Sequence, residues 1–332
     1  MPQKQQVQVE NSSQVKALIS ATVLSDVSLS VHTASQSYRS VCDGDQNSAT
    51  LASCFFNLCN TVVGSGMLGL PYAFAQTGWL LGTVLCLVCA FFSSFALHCL
   101  ALCALERPPP SSFYSVAIDV VPSLTTLIDL AVAAKCFGVA TSYLIVMGDL
   151  MPQVMEQLGG DAFSQQRELW VLVGFAIVAP LSCLHSLDSL KFTSFLSVGF
   201  VMFLTIIIVL YSSDVSELEL DPCLGTGDDM CAGAVVPVKA DMATLKILSI
   251  FIFGFTCQQN IFSVVNELQD PMPSRINIVI AAAIGIALAV YLIAAGCGYA
   301  TFGSEVESDI LVNYPGLYIN CVCSWLVDWL TG

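Results

Sequence analysis

The chain has 332 residues, of which 56% are hydrophobic and 11% charged, with a mean hydropathy of +0.78 and a formal net charge of −15. That composition excludes a soluble domain with a polar shell, and the charge excludes a nucleic-acid partner. The three histidines (His32, His98 and His185) and the cysteines form no cluster with metal-ligand spacing, so neither a metal site nor a cofactor is expected. No nucleophile–base constellation marks an enzyme either.

Residues 1–45 are rich in Gln, Ser and Val and lack a long apolar run. They read as a disordered polar tail rather than a cleavable signal peptide. The remainder, 46–332, reads as one transmembrane domain. A spanning helix needs about 20 apolar residues. Seven windows meet that length, near 51–74, 79–105, 122–152, 168–185, 190–211, 243–266 and 277–301, and an eighth begins near Tyr314. The expected fold class is therefore an all-α multi-pass membrane protein with the lipid bilayer as its solvent.

The first window contains Gly64-Ser65-Gly66 and then Gly69-Leu70-Pro71, residues a regular helix resists. In hydrocarbon every backbone N–H and C=O needs a partner, so unwound backbone survives only beside protein or a watery cavity. A break here frees amides at the start of the downstream half-helix, which suit a carboxylate. It also frees carbonyls around Asn60 to Val63, which suit a small cation or an ammonium group. Tight helix–helix packing is the competing explanation for the glycines; it leaves Asn60, Thr61 and Pro71 unaccounted for.

After the second window, Arg107-Pro108-Pro109-Pro110-Ser111-Ser112 is a breaker. The third window carries Lys135, and a charge at membrane depth costs about 2.5–3.5 kcal/mol on insertion scales. Lys135, Gly138, Ser142, Ile145 and Asp149 follow helical spacing along one face. Lys135 replaces a bound ion, anchors an unwound carbonyl, or snorkels to an interface. Asp149 to Pro152 is expected to close this span. The lone His98 is expected to be packed and hydrogen-bonded.

The acidic loop after the fifth window carries Asp214, Glu217, Glu219, Asp221, Asp228 and Asp229 with Cys223 and Cys231, a candidate disulfide if that loop faces an oxidising compartment. The sixth window holds Gly254-Phe255-Thr256-Cys257-Gln258-Gln259-Asn260. Five consecutive polar or small residues cannot share one helix face, so a second break is expected. With the N-terminus in the cytosol, Lys4, Lys16, Arg39, Arg107, Lys191 and Arg275 fall on the cytosolic side and only Arg167 and Lys239 opposite. Paired broken helices five spans apart are the sequence pointer to a transporter built from two inverted repeats.

Three stretches carry a family resemblance. NLCNTVVGSGMLGLPYAF (57–74), KCFGVATSYLIVMGDLMP (135–152) and FIFGFTCQQNIFSVVNEL (251–268) resemble the first, third and sixth spans of the amino acid/auxin permease family. The look is nearest to its vacuolar and sodium-coupled neutral amino-acid transporters. The resemblance implies an eleven-span permease with a 5+5 inverted-repeat fold, at a vacuolar, lysosomal or plasma membrane. It would carry amino acids, neutral ones above all, by alternating access coupled to Na+ or H+. By position, Asn60, Val63 and Lys135 would serve ion coupling. Thr61, Gly64, Ser65, Gly66 and Met67, with Ser142, Phe255, Thr256, Cys257 and Gln258, would meet the substrate. Relatives often have His where this chain has Gln258, which removes a titratable role. The segment Gly316 to Gly332 does not resemble the family's eighth span, so a truncated repeat is expected. An amino-acid sensor without net transport, a channel and a nonfunctional truncated product are the alternatives.

Overall fold

A computed structural model describes residues 49–64, 66–157, 159, 161, 163, 165–182, 191–213, 233–239 and 244–314. The N-terminal tail, Ser65, the candidate pair Cys223 and Cys231 and the eighth window after Tyr314 lie outside the described residues.

All described elements are helical, and no strand forms among them. In chain order they are α1 (Leu51–Val62), α2 (Gly66–Thr77), α3 (Trp79–Leu105), α4 (Phe113–Val120), α5 (Thr125–Gln157), α6 (Arg167–Ser182), α7 (Lys191–Ser212), α8 (Thr244–Gly254), α9 (Ile261–Glu267) and α10 (Pro273–Phe302). Among the described residues five spans are long and apolar enough to cross a membrane, or six if α1 and α2 count as one bent span. The fourth window is the 16-residue α6, and its last residues, 183–185, are outside the described set.

Local chemistry sets the ends. Thr50 caps α1 by accepting from the Ser53 amide at 3.3 Å. Ser112 and Ser115 form a reciprocal capping box on α4. Pro273 opens α10 at a position where its missing N–H costs nothing. Between α2 and α3, Gly78 adopts φ 82°, and a Cβ there would sit 2.6 Å from the Pro237 carbonyl oxygen. That close approach lets Val236 and Pro237 accept from the first amides of α3, Trp79 N at 3.2 Å and Leu80 N at 3.0 Å.

α10 is the central pillar. It packs against α1, α2, α3 and α7. Ile276, Ile280, Ala283, Ala287, Ala294 and Gly298 are on its buried side. The small members of that strip let the neighbouring backbones approach closely, the packing mode that works without a hydrophobic drive in lipid. α5 packs chiefly on α6. Large apolar side chains such as Phe91, Phe95, Phe137 and Phe175 face outward, which a hydrocarbon surround permits.

One expectation is corrected. Pro152 does not close α5, because the helix runs through it to Gln157. The Asp149 carboxylate accepts from Arg167 Nε of α6 at 2.7 Å, which ties the two helices just before the proline. His98 is hydrogen-bonded as expected, its Nδ1 lying 2.8 Å from Asn277 Oδ1 of α10.

Around the start of α1 three chain segments are tied together. Ala49 pairs with the end of α9, donating to Glu267 O and accepting from Gln269 N, each at 3.0 Å. Asn266 clasps Ser111, its Oδ1 accepting from the backbone N at 2.9 Å and from Oγ at 3.0 Å while Nδ2 donates to Ser111 O at 2.8 Å. Replacing one side of such a clasp leaves partners unserved, at about 1–3 kcal/mol. Asn266→Leu is therefore expected to lower the melting temperature of the detergent-solubilised protein while leaving its helix content unchanged by circular dichroism.

Candidate functional site

Both sequence breaks are present. α1 and α2 meet at an angle of 46°. The Val63 amide ends α1 by donating to Cys59 O at 2.8 Å, and the Met67 amide starts α2 by donating to Gly64 O at 3.2 Å. α8 stops at Gly254, a single 3-10 turn covers Gln258–Asn260, and α9 resumes at Ile261.

The breaks face each other. A Cβ on Gly66 would lie 2.6 Å from Gly254 Cα and 3.2 Å from the Tyr291 hydroxyl. Only glycine permits that approach, because the obstacle is backbone. A Cβ on Gly64 would collide with the Tyr143 hydroxyl of α5, an obstacle that can swing aside.

The three freed carbonyls of the second break have donors within reach. Gly254 O accepts from Tyr291 Oη of α10 at 2.8 Å, Phe255 O from Ser93 Oγ of α3 at 2.6 Å, and Thr256 O from Lys135 Nζ of α5 at 3.3 Å. Three consecutive carbonyls are thus served by three different helices. Lys135 also donates to Gln259 Oε1. Of the roles open for Lys135, the geometry matches the anchoring of an unwound carbonyl. No carboxylate ion-pairs with it among the described residues. Tyr291 lies against Val62 O at the end of α1 as well, and Asn260 Nδ2 donates to Thr61 Oγ1, so the two breaks are joined directly.

Between them lies a cavity of about 190 Å³, lined by Asn60, Thr61, Val62, Gly64 and Gly66 of the first break, Val139 and Tyr143 of α5, and Phe253, Gly254, Thr256 and Gln259 of the second. This is below the roughly 300–1,000 Å³ of pockets for drug-sized ligands. No lining residue carries a charged side chain. The wall is nevertheless dipolar, with two half-helix C-termini at Val62 and Gly254 and a helix start at Gly66.

Of the expected site residues, Asn60, Thr61, Gly64, Gly66 and Thr256 line this cavity. Lys135 touches its wall through Thr256 and Gln259. Val63, Met67, Phe255 and Cys257 are buried in the core and do not line it. The Phe255 ring packs edge-on to Tyr291 with centroids 5.1 Å apart. Gln258 donates to Ser93 Oγ at 3.2 Å instead. Ser142 donates to Gly138 O of its own helix at 3.0 Å, and the cavity face of α5 is the adjacent strip Val139 and Tyr143. Sequence reasoning missed Tyr291, Ser93 and Tyr143. The available signal was weak: a hydroxyl within an otherwise apolar stretch.

The family profile described as "Transmembrane amino acid transporter protein" matches residues 47–327. The chain belongs to that family. Vacuolar amino acid transporter 5 of Schizosaccharomyces pombe is 37% identical over 80% of the chain and 61% of its own length. Vacuolar amino acid transporter 7 of Saccharomyces cerevisiae is 35% identical over 78% of the chain and 51% of its own length. Human sodium-coupled neutral amino acid transporter 7 is 28% identical over 82% of the chain and 58% of its own length. The chain therefore spans between about half and three fifths of the length of these relatives. No solved structure matches the chain. Family membership and its apolar helices make it a multi-pass membrane protein rather than an enzyme.

The two glycine contacts predict different costs. Gly66→Ala forces backbone apart and should destabilise the detergent-solubilised protein by about 1–3 kcal/mol. Gly64→Ala, which displaces only a tyrosine side chain, should cost clearly less in the same melting experiment.

Proposed function

We propose that the chain acts as a secondary transporter of neutral amino acids, binding them between the two broken helices and moving them by alternating access with Na+ or H+ coupling. The observation that carries this reading is the cavity itself: uncharged side chains around a dipolar backbone. A zwitterion with a neutral side chain matches that wall, its ammonium toward the carbonyl ends at Val62 and Gly254 and its carboxylate toward the helix start at Gly66. A cationic or anionic side chain would enter without a partner among the lining residues.

Asn60, with the carbonyls running to Val63, supplies the oxygen-rich ground for the coupling ion. The two breaks open two inverted repeats, and the named activities of the fungal and human relatives support an amino-acid substrate. The N-terminus lies in the cytosol, as the distribution of Lys and Arg argues, and the vacuolar relatives favour a vacuolar-type membrane.

The test is reconstitution of the full 332-residue chain in proteoliposomes. Uptake of radiolabelled neutral L-amino acids should saturate, depend on an imposed Na+ or pH gradient, and show counterflow, which a channel cannot produce. Binding without accumulation would instead support a sensor. Val139→Trp, which fills the cavity from the half-buried face of α5, should abolish uptake while leaving the size-exclusion profile of the solubilised protein unchanged.

A further inference from the structure

Tyr291 is completely buried in α10. Its hydroxyl lies within hydrogen-bond reach of two main-chain carbonyls, Val62 O at the end of α1 and Gly254 O at the end of α8. A tyrosine hydroxyl has one proton to donate. A carbonyl cannot donate, so the hydroxyl serves one of the two fully at any moment. Both carbonyls belong to residues that line the cavity. The ring also backs both glycines of the close approach. It lies 3.4 Å from a Cβ on Gly254, and its hydroxyl 3.2 Å from one on Gly66.

We propose that Tyr291 is a positioning residue for substrate. Its hydroxyl, placed between the C-terminal ends of both upstream half-helices and shared by their carbonyls, holds them at one spacing and leaves one carbonyl at a time to accept from the ammonium group of a bound amino acid. The substrate part of this inference rests on the reading given under Proposed function; the fastening of the two breaks does not. Tyr291 itself reaches the solute through the carbonyls it holds.

An internal control sits two turns away on the same helix. Tyr299 is also buried, and its hydroxyl accepts from Val236 N at 2.9 Å, away from the cavity lining. Tyr291→Phe and Tyr299→Phe delete the same atom in different places. With the full chain and a mixture of radiolabelled neutral L-amino acids as the probe, Tyr291→Phe should weaken apparent affinity about tenfold. In proteoliposome uptake the loss should fall in KM rather than in maximal rate. Tyr299→Phe should leave affinity as in the wild type. Unchanged affinity in Tyr291→Phe, or equal losses in both variants, overturns the positioning role.

Hydrogen exchange without any ligand tests the fastening separately. Tyr291→Phe should raise exchange in peptides covering 60–70 and 252–262 together, and Tyr299→Phe in neither. Faster exchange at only one break, or at none, overturns the shared fastening. If the wild type binds none of the probe amino acids, the substrate assignment fails, and the exchange result still decides whether Tyr291 joins the breaks.

Discussion

The carbonyls of Gly254, Phe255 and Thr256 point away from a regular helix, and each must be hydrogen-bonded in a medium without water. A bare backbone group in hydrocarbon costs several kcal/mol, so the break cannot form alone. It draws on the Ser93 hydroxyl, the Lys135 ammonium and the Tyr291 hydroxyl, which it shares with the first break. Those donors sit on α3, α5 and α10, so the convergence of three helices on one point follows from the break. The first break draws on the same set, since Val62 O shares Tyr291 and Thr61 Oγ1 is met by Asn260. The two interruptions are therefore one junction, and the cavity is what the junction encloses.

Close approach and charge then shape that cavity. Gly66 and Gly254 let backbone meet backbone, bringing main-chain poles to the wall beside uncharged side chains. Lys135 brings a full positive charge to neutral oxygens. Asp149, two spacings of seven along the same helix, is engaged with Arg167 and does not neutralise it. An ammonium held by one carbonyl and one amide oxygen keeps its field uncancelled, in a medium where fields reach further than in water. That field acts on the junction from beside a cavity whose own lining carries no charged side chain.

The breaks were legible because they violate a rule: glycine, proline and clustered polar residues have no business in an apolar helix unless something compensates. Lys135 was legible for the same reason. What compensates was not legible. Ser93 and Tyr291 are ordinary residues in their helices, and their value depends on which carbonyl they meet across more than a hundred residues of sequence. The face of α5 was placed one position off, at Ser142 rather than Tyr143, because α5 is apolar on every side and helical spacing alone does not select which strip turns inward. Within the second break the chain leaves the regular helix between Gly254 and Gln258, so adjacent side chains no longer follow helical spacing. Phe255 and Cys257 turn to the core and Thr256 to the cavity, a distinction that a run of candidate residues cannot express.

Near the two ends of the central helix α10 the chain is tied by different sets of hydrogen bonds. Around Ala49 the closure consists of two backbone bonds to the end of α9 and the three-bond clasp of Asn266 on Ser111. At the opposite end, Gly233 N bonds Phe302 O at 2.9 Å and Val236 N bonds Tyr299 Oη at 2.9 Å. Each such bond contributes about 1 kcal/mol net, so the Ala49 closure is worth roughly 5 kcal/mol. A shift of a two-state population from 1:99 to 99:1 needs about 5.5 kcal/mol of differential binding. The Ala49 closure is of that scale. Asn266 and Glu267 lie within two turns of Ile261, where the broken helix resumes. The second break and the Ala49 closure are thus joined by one short helix, α9.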